Sequence, residues 1–182
     1  MDEASIISRC RSGERDAFET LVVKYQAGAL SLAWSVLGRQ ADAEDAAQEA
    51  FLQAYLNLPR FDRVRPFKSW LYAIVTNECL DRLKKERTER KFRLRALATS
   101  NPSSKGPNPA LRLENTAVVG PLLRKLGDRE RLAIYLDVVE GYTAAEVADV
   151  LRCAESTARV YVFKAKIKLR KWLKGNPDVS NP

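Results

Sequence analysis

The sequence predicts an all-α protein of two small helical domains joined by a flexible linker, the C-terminal domain carrying a helix-turn-helix. Three observations carry that prediction. Apolar residues recur at spacings of three and four in several windows, and no segment sustains the two-residue alternation of a half-buried strand. A cluster of Ser100, Pro102, Ser103, Ser104, Gly106, Pro107 and Pro109 punctuates the chain midway, where no regular helix can run. Beyond it come a short apolar helix, a three-residue turn and a long basic helix. The expected boundaries are a first domain over 1–95, a linker over 96–115, a second domain over 116–175 and a disordered tail over 176–182.

The first periodic window holds Phe18, Leu21, Val22, Tyr25, Ala29, Leu32, Val36 and Leu37 in one stripe, with Gly38 as its C-terminal cap. A second helix is expected from Asp42 as N-cap, with Ala47, Ala50, Phe51, Ala54, Tyr55 and Leu58 on one face and Pro59 ending it. Its other face carries Asp45, Gln48, Glu49, Leu52 and Leu56. Carboxylates and amides beside two leucines that the core stripe does not need suit a surface that docks a partner helix, and a solvated face is the competing reading.

A third helix is expected from Pro66, favoured at the first helical position. Phe67, Trp70, Leu71, Ile74 and Val75 form its packing stripe before it turns basic at Arg82, Lys84, Lys85 and Arg87. Because Trp70 lies in that stripe, core packing is its expected role. Tyr72, Asn77, Asp81 and the loop arginines Arg63 and Arg65 are the freer candidates for contact with unpaired nucleic acid.

In the second half, residues 122–126 and 128–140 read as helix, with Gly141 as terminator. Thr143 and Glu146 form a capping box for a short helix that buries Val147, Val150 and Leu151. Arg152, Cys153 and Ala154 make the turn. The last helix, from 155 or 156 to 174, buries Ala158, Val162, Ala165, Leu169, Trp172 and Leu173. A helix-turn-helix lays its second helix in the major groove, where Ser156, Thr157, Arg159, Val160, Phe163 and Lys164 are placed to reach the duplex. Arg159 suits guanine, Val160 and Phe163 suit thymine methyls, and Lys164 suits a phosphate. A basic amphipathic helix with one solvated face is the alternative.

Charge distribution agrees with that layout. The chain of 182 residues carries a formal +8, yet residues 1–58 hold 5 basic and 9 acidic side chains while residues 59–100 hold 12 and 5. From Arg159 through Lys164, Lys166, Lys168, Arg170 and Lys171 to Lys174 no acid intervenes, which makes a local anion-seeking surface. There is no histidine, and Cys10, Cys79 and Cys153 are too far apart in sequence for a redox pair or a zinc set. No phosphate-binding glycine loop or hydrolase motif occurs, so neither an enzyme nor a cofactor is expected. No apolar run approaches the ~20 residues of a membrane span, and the acidic start is unlike a signal peptide; a cytoplasmic protein without membrane insertion is expected.

These residues carry a family resemblance. The segment DAEDAAQEAF at 42–51, Phe61 and Asp62, FKSWLY at 67–72, Asn77 and LDRLK at 80–84 together resemble the N-terminal domain of extracytoplasmic-function sigma factors of bacterial RNA polymerase, in order and spacing. Residues 126–173, including Glu140, Gly141, Tyr142 and Thr143 at the start of the helix-turn-helix, resemble their second domain. The resemblance implies a sigma factor that binds core polymerase, recognises −35 and −10 promoter elements and promotes melting.

It implies that Asp42, Glu44, Asp45, Gln48, Glu49, Leu52 and Leu56 dock on the polymerase, chiefly on the beta-prime clamp helices, with the beta subunit as a further contact. Arg63, Arg65, Lys68, Tyr72, Asn77, Asp81, Arg82, Lys84 and Lys85 would meet the −10 element, Asn77 facing an extruded base. Ser156, Thr157, Arg159, Val160, Phe163, Lys164 and Lys166 would meet the −35 element as duplex. An anti-sigma factor is a further partner expected of the family. A linker of about 20 residues spans up to roughly 65–70 Å, enough for two elements some 50–60 Å apart. Such a linker also lets the domains fold back on one another. Arg152 stands where the family often has a turn glycine, and Ala154, Glu155, Val160 and Tyr161 also depart from commoner residues. The alternative function is a helix-turn-helix regulator acting without core polymerase.

Overall fold

Asp2 accepts a hydrogen bond from the Ser5 amide at 3.0 Å and so starts α1 (Glu3–Arg11), a helix that the periodic windows do not announce. It buries Ile6 and Ile7. This computed structural model describes residues 2–62, 64–98, 123 and 125–175. Helix α2 (Arg15–Leu37) ends where Gly38 turns left-handed at φ 69° and returns its amide to the Trp34 carbonyl, as the sequence predicts. Helix α3 (Gln40–Asn57) starts two residues earlier than expected. Asp42 lies inside its first turn, paired with Arg39, where a carboxylate favours the positive end of the helix dipole. Pro59 then sits in a 3-10 turn over Leu58–Arg60.

Helix α4 (Phe67–Ala98) runs 32 residues. Pro66 stands just before it, accepting from the Trp70 amide, and the helix continues three residues into the stretch expected as linker. The rest of that linker, the tail and Arg63 lie outside the described residues. Residues 122 and 124 do too, and Lys125 and Leu126, expected as helix, are turn and bend.

Helix α5 (Asp128–Val138) is shorter than the predicted 128–140, because the chain turns at Val139 and Glu140 before Gly141 at φ 69°. Helix α6 (Ala144–Leu151) opens on the predicted capping box: Thr143 accepts from the Glu146 amide, and the Glu146 carboxylate accepts from the Thr143 amide at 2.8 Å. Those bonds, the Thr143 amide first, hold the Glu146 carboxyl below the usual range. Arg152 closes α6 at φ 49°, the left-handed conformation that a glycine would enter without strain. Helix α7 (Glu155–Gly175) completes the helix-turn-helix.

Every regular element among the described residues is helical. Leu21, Leu32, Phe67 and Leu71 are fully buried where α2, α3 and α4 meet, and Leu132, Leu136, Val147 and Val150 where α5, α6 and α7 meet. The two cores are contiguous, since α6 packs on α4 and α5 on α2. Along α7, Ala158, Val162 and Ala165 are buried and Leu169 and Trp172 half-buried, but Leu173 emerges into solvent.

Candidate nucleic-acid and partner interfaces

On α3, alanines at 43, 46, 47, 50 and 54 let the helix lie close against its neighbours and turn Leu52 and Leu56 outward, 52% and 66% exposed. Glu44, Asp45 and Gln48 are exposed around them, while Asp42 and Glu49 are half-buried. The polar groups are mostly held by their own helix. Gln40 donates to Glu44 at 2.7 Å and Gln53 to Glu49 at 3.3 Å, and Arg82 of α4 reaches Asp45 only at 3.9 Å. All seven predicted residues thus share α3, with two leucines at the centre whose burial by a partner is worth about 1.5–3 kcal/mol each.

The residues expected at unpaired DNA do not form one surface. At 100° per residue, Lys68 and Tyr72 lie on one face of α4 and Asn77, Asp81 and Lys84 on the opposite one. Asn77 is half-buried, and Asp81, Lys84 and Lys85 are exposed. Arg82 is tied to Glu78 at 2.7 Å. The expectation that Tyr72 is freer than Trp70 is reversed: Tyr72 is 1% exposed, whereas Trp70 is half-buried. Tyr72 runs its hydroxyl against Gly28 of α2, where a side chain would collide, and donates to Glu140 of the second domain at 3.2 Å. Burial, then the Glu140 charge, push its hydroxyl well above the usual tyrosine range. Trp70, with Arg60, Asp62 and the exposed Arg65, lines a cleft of about 820 Å³ whose other wall is Asp149, Arg152, Cys153 and Ala154.

The third set is brought together. Ser156, Arg159, Val160, Phe163 and Lys164 are exposed along α7, Phe163 by 64%, and Thr157 is half-buried. Lys166 is engaged elsewhere, in an ion pair with Asp137 of α5 at 2.6 Å. Two features escaped the sequence reading. Ile167, exposed four residues after Phe163, prolongs the apolar line, a spacing visible in the sequence. Glu155 accepts from the Arg159 guanidinium at 2.5 and 3.2 Å, so the leading arginine of the helix already has a partner.

Residues 21–89 match sigma-70 region 2, and residues 120–169 match sigma-70 region 4. Over 179 residues the chain is 31% identical to the ECF RNA polymerase sigma factor SigW of Bacillus subtilis, spanning 92% of this chain and 95% of that protein. The chain belongs to the extracytoplasmic-function sigma factors. This sigma factor is also 30% identical over 176 residues to the sigma-E factor of Escherichia coli K12, covering 88% of each. It shares its fold with CnrH, solved in complex with the cytosolic domain of CnrY, at a TM-score of 0.69 and 27% identity over 94% of this chain and 96% of that one.

It is accordingly an alternative sigma factor for transcription initiation by RNA polymerase, which sets aside the reading as a regulator independent of polymerase. The region 2 match contains every residue of the α3 and α4 sets, and the region 4 match every residue of the α7 set. Helix α1 lies before the first match.

Proposed function

We propose that this sigma factor divides initiation among three surfaces. The outer face of α3, from Asp42 to Leu56, docks on core polymerase at the beta-prime clamp helices. The loop holding Arg63 and Arg65, with Asn77, Asp81, Arg82, Lys84 and Lys85 of α4, takes the −10 element and holds it open. The exposed line of α7, led by Arg159, Val160, Phe163 and Lys164, reads the −35 element in the major groove.

The observation that carries the reading is the pair Leu52 and Leu56, large apolar side chains exposed in an acidic surround. An isolated fold gains nothing by presenting them, whereas a partner helix with a basic rim would bury them. On α7, exposed apolar side chains interleaved with cations match the mixture of thymine methyl and phosphate contacts that major-groove readers make. Opening of the duplex would draw on binding energy, and the protein itself carries out no catalytic step. Its place of work is the cytoplasm, beside the polymerase. Among the described residues no helix is long and apolar enough to cross a membrane. An anti-sigma factor is a further partner in this proposal, supported by CnrH having been solved with the cytosolic domain of CnrY.

The deciding experiment is run-off transcription with purified core polymerase on a promoter library, with wild type and with a Leu52→Ala/Leu56→Ala variant. Promoter-specific transcripts that the variant loses are expected. Equal transcription by both would remove α3 as the docking face.

A further inference from the structure

The two domains meet through one concentrated polar contact. Glu140, at the end of α5, is 11% exposed at its side chain and accepts an ion pair from Lys68 at 2.6 Å. The same carboxylate receives the hydroxyls of Tyr72 at 3.2 Å and Tyr135 at 3.5 Å. Tyr142 stacks on Tyr72 with centroids 6.3 Å apart and planes 19° from parallel, and the Lys68 ammonium lies over both rings at 5.5 and 5.6 Å. Ser69 donates to the Tyr142 hydroxyl at 3.4 Å. Around this centre Arg87 pairs with Asp128 at 2.6 Å, and Arg131 donates to the Val36 carbonyl at 2.6 Å. Every one of these contacts joins a residue of the first four helices to one of the last three, except the bond from Tyr135, which orients Glu140 from within its own domain.

The geometry of this closed form conflicts with the task. Arg65, beside α4, and Arg152, in the helix-turn-helix turn, line opposite walls of the same cleft, whose 820 Å³ correspond to about 12 Å across. Two promoter elements about one and a half duplex turns apart lie roughly 50–60 Å from one another. A chain in which both readers face one cleft cannot occupy both elements at once. The contacts between domains must therefore break before initiation, and they converge on one carboxylate.

We propose that Glu140 is a latch that holds the sigma factor closed and that its release from Lys68 and Tyr72 is a step preceding promoter engagement. The inference rests on the two-element reading above. A closed majority lowers apparent affinity for any partner that needs the open form, in proportion to the open fraction. Core polymerase, whose complex must present the two readers apart, is such a partner. The latch keeps free protein from occupying promoters, and binding of the core draws it open.

Small-angle scattering of the full chain tests this, comparing wild type, Glu140→Lys and the exchange Lys68→Glu/Glu140→Lys. Wild type is expected to be compact, Glu140→Lys to have a larger radius of gyration, and the exchange to return to wild-type size. Glu140→Lys is further expected to bind core polymerase about tenfold tighter. A Glu140→Lys protein as compact as wild type would overturn the latch, and so would one that expands yet binds core no tighter. Should the lysine variant lose helical circular dichroism, Glu140→Gln removes only the charge and is expected to expand the chain in the same direction to a smaller extent. Scattering answers for the latch alone, whereas failure of wild type to initiate on any promoter would strike the sigma-factor reading and leave the scattering result standing.

Discussion

Glu155 and Arg159 stand one turn apart at the head of α7, and the carboxylate holds the guanidinium through two hydrogen bonds. Both side chains are largely solvent-exposed, so the pair contributes little to stability. Its consequence is for reading. An arginine that must leave a carboxylate before it can reach a base discriminates less steeply and binds less tightly than a free one. Glu155→Ala is expected to tighten binding to −35 duplexes of any sequence and to steepen the salt dependence by about one released counterion. Arg159→Ala is expected to cost about 1–3 kcal/mol at a single base pair. Fluorescence anisotropy on single-substitution duplexes at several salt concentrations measures both.

The leucines of α3 separate binding from folding. Leu52→Ala and Leu56→Ala each remove an exposed side chain and should change unfolding free energy by no more than about 0.5 kcal/mol. Affinity for core polymerase should fall by about 2 kcal/mol or more if they are the anchors of the interface. Parallel urea melts and core-binding titrations check the pair, and an equal loss in both would assign the leucines to the fold.

Cys79 is buried in the first domain, and that burial, followed by the Glu78 charge, pushes its thiol up to about 12. The thiolate needed for alkylation is therefore nearly absent at neutral pH. Iodoacetamide under native conditions is expected to modify the half-buried Cys10 and Cys153 and spare Cys79 until the protein is unfolded, as mass spectrometry of the products would show.

The capping box of α6 makes a signed pH prediction. The Glu146 carboxyl lies lower in the fold than in the unfolded chain, so its contribution is present above the unfolded value and is lost as pH falls through the folded one. Thr143→Ala is expected to destabilise by about 1 kcal/mol at neutral pH. The difference between wild type and a Glu146→Gln variant should shrink below about pH 4. Urea midpoints at pH 7 and pH 3.5 measure it.

Arg152 holds a left-handed backbone at φ 49°. Relieving that conformation with Arg152→Gly is expected to raise stability by about 1 kcal/mol. The same change removes a cation from the cleft, so stability and DNA affinity should move in opposite directions. Chemical denaturation beside promoter binding reports the two.

What could be foreseen from sequence follows the range of the forces involved. The helix-turn-helix is written in local chemistry, a box closed over three residues by Thr143 and Glu146 and a stop at Gly141, and its boundaries fall within a residue of expectation. The outward leucines of α3 are equally local, being set by spacing alone. Helix α1 was invisible because only Ile6 and Ile7 of its nine residues are buried, too few to reveal a period. The exchange of roles between Trp70 and Tyr72 could not be foreseen, because Tyr72 is covered by Glu140, 68 residues away in sequence. A stripe on one helix says which side chains want cover, and only the assembled chain says which find it.

The contiguous core also has a consequence during synthesis. Helices of the first domain leave the ribosome before α6 exists, and at about 5–20 residues per second the 53 positions from Ala98 to Leu151 take roughly 3–10 s to translate. Through that interval the side of α4 bearing Tyr72 is bare, an aromatic strip with no cover of its own. The second domain then arrives as the lid on a surface made earlier, so a nascent chain stalled at the interdomain segment is the form most exposed to aggregation and to chaperone capture.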